Sequence, residues 1–591
     1  MKQIMYLTLA AYLGCISPIF SQNTAKNLTV DDLASWQRIT RQEISDNGKW
    51  VACTVEPWEG DASVLLYSNK GKQTASFHPA NEFYFSATSN YLLIKQSPEK
   101  STVDSLKLLK TKKEKMPMNA LVIYSMDGKQ EVLDSIKTFK IAKHADWIAY
   151  QRGRKDSTLY IRSLDGNSRF SISSVSHFQF ADKSCMLNYV RTDENNPGIY
   201  TIDPTNGKTK LIKEGKGIFK QITFDEKGEH LAFLYCNDKK ISFKEMSLWL
   251  SSHNNPAKEI ATREHTAFPA HWVINKNGKL HFSKSATRLF FGTSPEPKQK
   301  DTTQLEENRP NVQVWNWNEP VQYTVQEFNK ERDLKKSYLA VYNLKNNSIL
   351  QLANEELPDI TLGNKGDAVI ALLSTSRPYS LSSMWEGRTR NDYYTISLEN
   401  GERKQIAEAN YGRFRLSPNG NYAYWYGETD SCWYTIDLVK GKQYRLTTPK
   451  NFPAWDEDND VPNYPQAHGA AGWTSDDKEI LIYDRYDIWK FSPTNSFTPI
   501  KLTRDGRDKK IVYRLVTLNP DNRFIDLKQT QLLIGFNETT KGYGYYKALL
   551  TSPVLPQKLI AGDYMLRSIK KAKNSKEVIY TKENYQQYEY H

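Results

Sequence analysis

Short alternating apolar runs, separated by polar reversals, recur along nearly the whole chain. The clearest copy is Leu416-Ser417-Pro418-Asn419-Gly420-Asn421-Tyr422-Ala423-Tyr424. An apolar residue closes one strand, Ser-Pro-Asn-Gly reverses the backbone with Gly supplying a positive φ, and an alternating run opens the next strand. The same shape returns at Ile44 to Ala52, Phe224 to Phe233 and Trp473 to Tyr483. Worn copies at Phe85 to Ile94, Phe180 to Tyr189, Phe282 to Phe291, Leu362 to Ile370 and Lys573 to Tyr580 keep the apolar ends but lose the Pro or the Gly.

An aromatic-led strand that runs on to Gly follows several of these turns: Tyr200 to Gly207, Tyr394 to Gly401 and Tyr434 to Gly441. Each repeat therefore holds about four strands, at a spacing of roughly 40 to 60 residues. A single four-stranded sheet cannot bury both faces alone, so such repeats must stack. The pattern predicts an all-β fold, a β-propeller of four-stranded antiparallel blades. A string of separate β-sandwich domains would need composition breaks at linkers, and none of adequate length is present. The turn count is about ten or eleven, above the roughly 4 to 8 blades of an ordinary ring. With some motifs sharing a blade, one ring of seven or eight blades is expected over residues 22–591, with insertions near 98–118 and 294–333. Almost no helix is expected outside the signal region and the first, Lys-rich insertion.

The 591 residues are 39% hydrophobic and 12% aromatic, which suits half-buried strands. The formal charge of +13 would admit nucleic acid, but basic residues are interspersed with acidic ones. The densest run, Lys107 to Lys115, reads as a solvated loop or short helix. No nucleic-acid partner is expected. Lys2, the apolar run Ile4 to Leu13 and the polar stretch ending Phe20-Ser21-Gln22 read as a signal peptide, residues 1–21, so the protein is expected to be periplasmic or secreted. Lipid anchoring at Cys15 is disfavoured by Tyr12 three positions before it and by the apolar residues after it. No later run is long enough for a membrane span. Cys53, Cys185, Cys236 and Cys432 contain no CxxC spacing and read as buried thiols, with one disulfide open to an exported protein.

Candidate chemistry is sparse. Gly166-Asn167-Ser168-Arg169-Phe170 and Gly292-Thr293-Ser294-Pro295-Glu296 lack the second Gly of a nucleophile elbow, and there is no HExxH or P-loop. Asp456-Glu457-Asp458-Asn459-Asp460 has Val461 and Ala467 where an EF-hand needs Gly and Glu, so it reads as an exposed acidic loop. His468 reads as a structural hydrogen-bonding group. Glu355-Glu356 reads as a surface loop, with capture of a peptide amino group as the sharper alternative. No catalytic residue, metal ligand or cofactor is assigned.

The string Tyr483-Asp484-Arg485-Tyr486-Asp487-Ile488-Trp489, preceded by Trp473-Thr474-Ser475-Asp476-Asp477, resembles the propeller of a bacterial branch of the prolyl oligopeptidase-type serine peptidases. That group includes dipeptidyl peptidase IV and acylaminoacyl peptidases. Arg288 to Thr293 and Val312 to Pro320 fall in matching order, and the resemblance covers essentially all of the mature chain. It implies a propeller that gates short peptides, followed by an α/β-hydrolase domain holding the triad. The chain closes near Glu583 to His591, about where that domain would begin. The expectation is therefore a propeller portion that does not itself hydrolyse. A stand-alone propeller binding peptides or glycans is the alternative. Trp473, Asp484, Arg485, Asp487 and Trp489 are expected to lock one blade to the next, two aromatic anchors beside carboxylates and a guanidinium suited to bidentate pairing.

Overall fold

The computed structural model describes residues 29–237, 246–297, 312–450 and 452–585, with a few positions between 303 and 310. The expected export segment, with Cys15, and part of the second insertion lie outside the described residues. The chain is 45% strand and 9% helix. Its sheets are antiparallel meanders: eight of four or five strands, one of seven and a final pair. It is an all-β propeller.

The seven-stranded sheet is two units fused through one strand, Gln130–Ile141. Its first half pairs with Asn119–Ser125 and its second half with Trp147–Arg152, and the backbone switches between them at Ser135, whose φ is +56°. Counting it as two gives ten units among the described residues, nine of four strands and one of five, followed by the hairpin Met565–Lys571 and Val578–Glu583. This exceeds the expected seven or eight blades. The physical reason is that turn motifs are not shared: each marks the first reversal of its own unit. Helix also extends beyond the signal region and the Lys-rich insertion, to Val30–Ser35, to Tyr323–Asp333 in the second insertion and to Ser380–Glu386.

Within a unit, the second strand is buried on both faces, as in His230–Cys236 and Ile480–Tyr483, because neighbouring units cover it. Fourth strands such as Lys442–Arg445 and Gln557–Gly562 are exposed and form the rim. First strands of adjacent units approach one another, so they line the centre. Each unit shares a hydrophobic core with the next, from Val64 and Phe77 against Phe83 and Leu92 at the start to Tyr483 and Leu502 against Tyr513 and Tyr546 at the end. The final hairpin closes the circuit. Tyr545 packs edge-on against Tyr580 (5.3 Å), Gln42 Nε2 donates to the Ser568 carbonyl (2.8 Å), and Lys570 pairs with Glu43 (2.7 Å).

The recurring polar residue that opens each turn has a specific task. The Ser417 hydroxyl accepts the Tyr422 N–H (2.9 Å), and Ser45, Ser86, Asp225 and Thr474 accept the N–H five residues on in the same way. All five are buried, so the side chain satisfies a backbone donor that water cannot reach.

Candidate functional site

First strands sit at sheet ends and pair on one side only, so their free backbone edges face the central channel. Between units two and three these edges bound a cleft of about 620 Å³, lined by Glu82, Tyr84 and Lys95 on one side and by Lys137, Phe139 and Lys140 on the other. Glu82 is bonded to Lys95 (2.6 Å), which holds its carboxyl below the usual range. Arg41 lies over the rings of Phe83 and Tyr84 at 4.7 and 5.1 Å. On the next first strand, the protein mass around His177 and then the charges of Lys140 and Lys220 push its imidazole below its ordinary value, although the side chain itself is exposed.

A second cleft, of about 540 Å³, opens between units seven and eight. It is lined by Lys365, Arg413, Arg415 and Arg523 beside Thr361, Ser417 and Tyr424. Arg523 arrives from residues 516–529, which replace the tight first turn of unit ten. Arg523 donates to the Pro418 carbonyl (2.9 Å), Asp521 pairs with Lys365 (3.3 Å), and the Ile525 N–H donates to the Trp473 carbonyl (2.8 Å). Asp521 also lies within electrostatic reach of Lys183 in unit four. One loop thus touches units seven, eight and nine and reaches toward unit four, across one mouth of the channel.

The signature string forms a separate network where units nine and ten meet. Trp473 is 1% exposed and stacks on Tyr422. Asp484 accepts the N–H groups of Tyr486 and Asp487 (2.8 and 2.6 Å) and the Trp489 indole (3.0 Å). Arg485 binds Glu538 through Nε and Nη2 (3.0 and 2.9 Å) and also Asp458 (2.6 Å). Asp487, fully buried, accepts from Thr503, Gly506 N and Arg507 N and pairs with Lys501 (2.9 Å). Trp489 is only half-buried, edge-on to Phe452.

The acidic loop Asp456 to Asp460 is exposed, as expected, and is in addition tethered by arginines. Glu457 makes a two-pronged contact with Arg507 (3.2 and 3.1 Å), and Asp458 is held below its ordinary pKa by Arg485. Opposite arginines from units nine and ten pull the loop onto their junction. His468 is held neutral by burial and by Arg514, and its Nε2 has no hydrogen-bond partner. Glu355 and Glu356 are exposed; only the Glu355 carbonyl is engaged, by Arg377. The four cysteines are free, and burial pushes Cys53 up to about 11. Asp225, Glu229 and His230 come within 4.8 Å of one another, but Asp225 is already the turn anchor of its unit.

The clustered cations were missed by sequence reasoning because Lys365, Arg413, Arg415 and Arg523 come from three different units. A usable signal existed: in Arg413-Phe414-Arg415 and Lys137 to Lys140, basic residues punctuate the strand that leads into a first turn.

No family model matches this sequence, and no curated protein matches it. Among solved structures, the chain is similar to a eukaryotic initiation factor with TM-score 0.35 and 10% identity, covering 69% of this chain and 88% of that one. It is similar to a prolyl endopeptidase with TM-score 0.28 and 8% identity, covering 78% of this chain and 54% of that one. For the tricorn protease the TM-score is 0.26 and the identity 11%, covering 70% and 44%. The chain thus spans about half the length of the two peptidases.

Proposed function

We propose that this chain is the substrate-admitting propeller of an exported serine peptidase of the prolyl oligopeptidase type, receiving short peptides in its channel and cleaving none itself. The observation that carries the reading is the set of free first-strand edges beside clefts that offer both aromatic rings and charges. An extended peptide adds to such an edge through main-chain hydrogen bonds, and side-chain clefts on alternate residues supply selectivity. The signature string contributes at two joints: Arg485 and Asp487 tie unit nine to unit ten and the segment that leads into it, while Trp473 and Trp489 pack into the core that unit nine shares with unit eight.

Acyl transfer needs an activated nucleophile, a base and oxyanion donors, and the reading assigns none of these to this chain. The purified protein should bind tetrapeptides saturably in calorimetry, yet leave dipeptide and acyl-amino-acid chromogenic substrates intact. It should also not react with a fluorophosphonate. A stoichiometric adduct on any serine would overturn the non-hydrolytic part of the reading. Binding of glycans but not of peptides would instead identify a stand-alone binding module.

A further inference from the structure

We propose that the cleft between units seven and eight is an oxyanion subsite, so that the peptides the channel receives carry acidic side chains. The inference rests on the peptide reading above and specifies its ligand.

The geometry begins at Phe414. Its ring is sandwiched between Tyr393 and Trp425, with both centroid distances 4.1 Å, and is buried in the core shared by units seven and eight. Phe414 is buried while its neighbours Arg413 and Arg415, just before and at the start of the strand Arg415–Leu416, are exposed, so the fixed ring leaves both guanidinium groups on the cleft side. Both are exposed, and neither forms an ion pair among the described residues. Arg523 is brought to the same cleft by its bond to the Pro418 carbonyl, and Lys365 by the turn of unit seven.

The lining contains four cationic side chains and no carboxylate. Two carboxylates lie just behind this lining and both are engaged: Asp521 pairs with Lys365, and the buried Asp477 accepts from the Ser417 hydroxyl (2.6 Å) and from the Asn419 and Asn421 N–H groups. Gathering like charges in one concave space is unfavourable until an anion enters, and concavity focuses the field on that anion. Guanidinium groups bind carboxylate and phosphate oxygens in pairs, which favours a doubly charged segment over a single lysine-type contact. The cleft between units two and three differs in kind: its lysines, Lys137 and Lys140 among them, are mixed with the carboxylates Asp46 and Glu82, so the unmixed cationic lining belongs to the cleft between units seven and eight.

The test compares tetrapeptides of equal length by calorimetry on the full chain: one with two glutamates, one with two phosphoserines and one neutral. The glutamate peptide should bind at least about tenfold more tightly than the neutral one, the margin of a single charged hydrogen bond, and should weaken as salt is raised. Arg413→Gln/Arg415→Gln should abolish that preference, so that glutamate and neutral peptides bind alike, with the melting midpoint unchanged. A phosphoserine peptide preferred over the glutamate one assigns the subsite to phosphate rather than carboxylate and overturns the acidic-residue specificity. Equal binding of glutamate and neutral peptides overturns the subsite and leaves the peptide reading standing. If no peptide binds, the peptide reading falls and citrate judges the cleft: citrate binding lost in the double variant retains an oxyanion subsite, and no citrate binding removes it.

Discussion

Trp473 and Trp489 flank the same short sheet yet carry different energetic weight. Trp473 is fully enclosed by Tyr422, Tyr424 and the unit nine core, so Trp473→Ala should cost about 3 to 5 kcal/mol. Trp489 keeps one side in solvent and is held chiefly by its indole bond to Asp484, so Trp489→Phe should cost only about 1 kcal/mol. Equal shifts in chemical denaturation would show that the two are not distinguished by burial. A second residue-scale expectation concerns pH. Burial, followed by Lys279, lowers the pKa of His281, whose ring stacks on Phe290 and whose Nδ1 has no partner. A group depressed in the folded state contributes stability above its unfolded pKa, about 6.5, and loses it as pH falls. Folding free energy should therefore hold near pH 8 and decline toward pH 5, and His281→Phe should flatten that decline. A decline of the same size in the variant would assign it to other groups.

Among the elements, the shared strand Gln130–Ile141 is the most unusual. Ser135 adopts left-handed backbone in mid-strand, where its carbonyl accepts the Gly153 N–H (2.7 Å). Ser135→Val should cost about 1 to 2 kcal/mol, the penalty of that conformation for a branched side chain, while Ser135→Gly should stay within about 0.5 kcal/mol of the parent. A neutral valine variant in thermal unfolding would refute the strain. The same strand explains what could be read from the sequence. All nine motifs quoted above fall on first reversals, because Ser, Asp or Thr anchors and apolar flanks are local requirements. Unit three escaped because its first strand is continuous with the last strand of unit two and its reversal, Ala142 to Asp146, lacks the Ser-Asp-Gly pattern. Unit ten escaped because residues 516–529 stand where a tight turn would be. The blade count was therefore short, although the architecture was legible. At the candidate site, the Tyr483 to Trp489 string stood out as a sequence because Asp484 bonds its own neighbours Tyr486, Asp487 and Trp489, whereas the partners of Arg485, Glu538 and Asp458, are remote and were not foreseen. The arginine cleft could not, since ring stacking alone assembles it.

For the whole molecule, both faces of the ring are not alike. First reversals gather on one face, with the loop 516–529, while the Lys-rich helix, the second insertion and Ser380–Glu386 all leave second strands on the other. Exposed Trp58, Trp315, Trp317 and Trp385 belong to that second face. Closure depends on the last hairpin, which buries Leu566 and Ala572 and bonds to the first strand of unit one. A chain shortened after Asp563 should lose at least about 3 kcal/mol and bind an apolar dye, from the lost burial and bonds. Unchanged unfolding would mean that units ten and one hold without it. The fused sheet has a mechanical consequence. The other joints described are made of side-chain packing and a few isolated hydrogen bonds, but units two and three share one continuous strand. If the ring breathes to let a ligand through, that sector moves as one stiff plate, and the dilation is taken up on the far side, where the hairpin acts as the clasp.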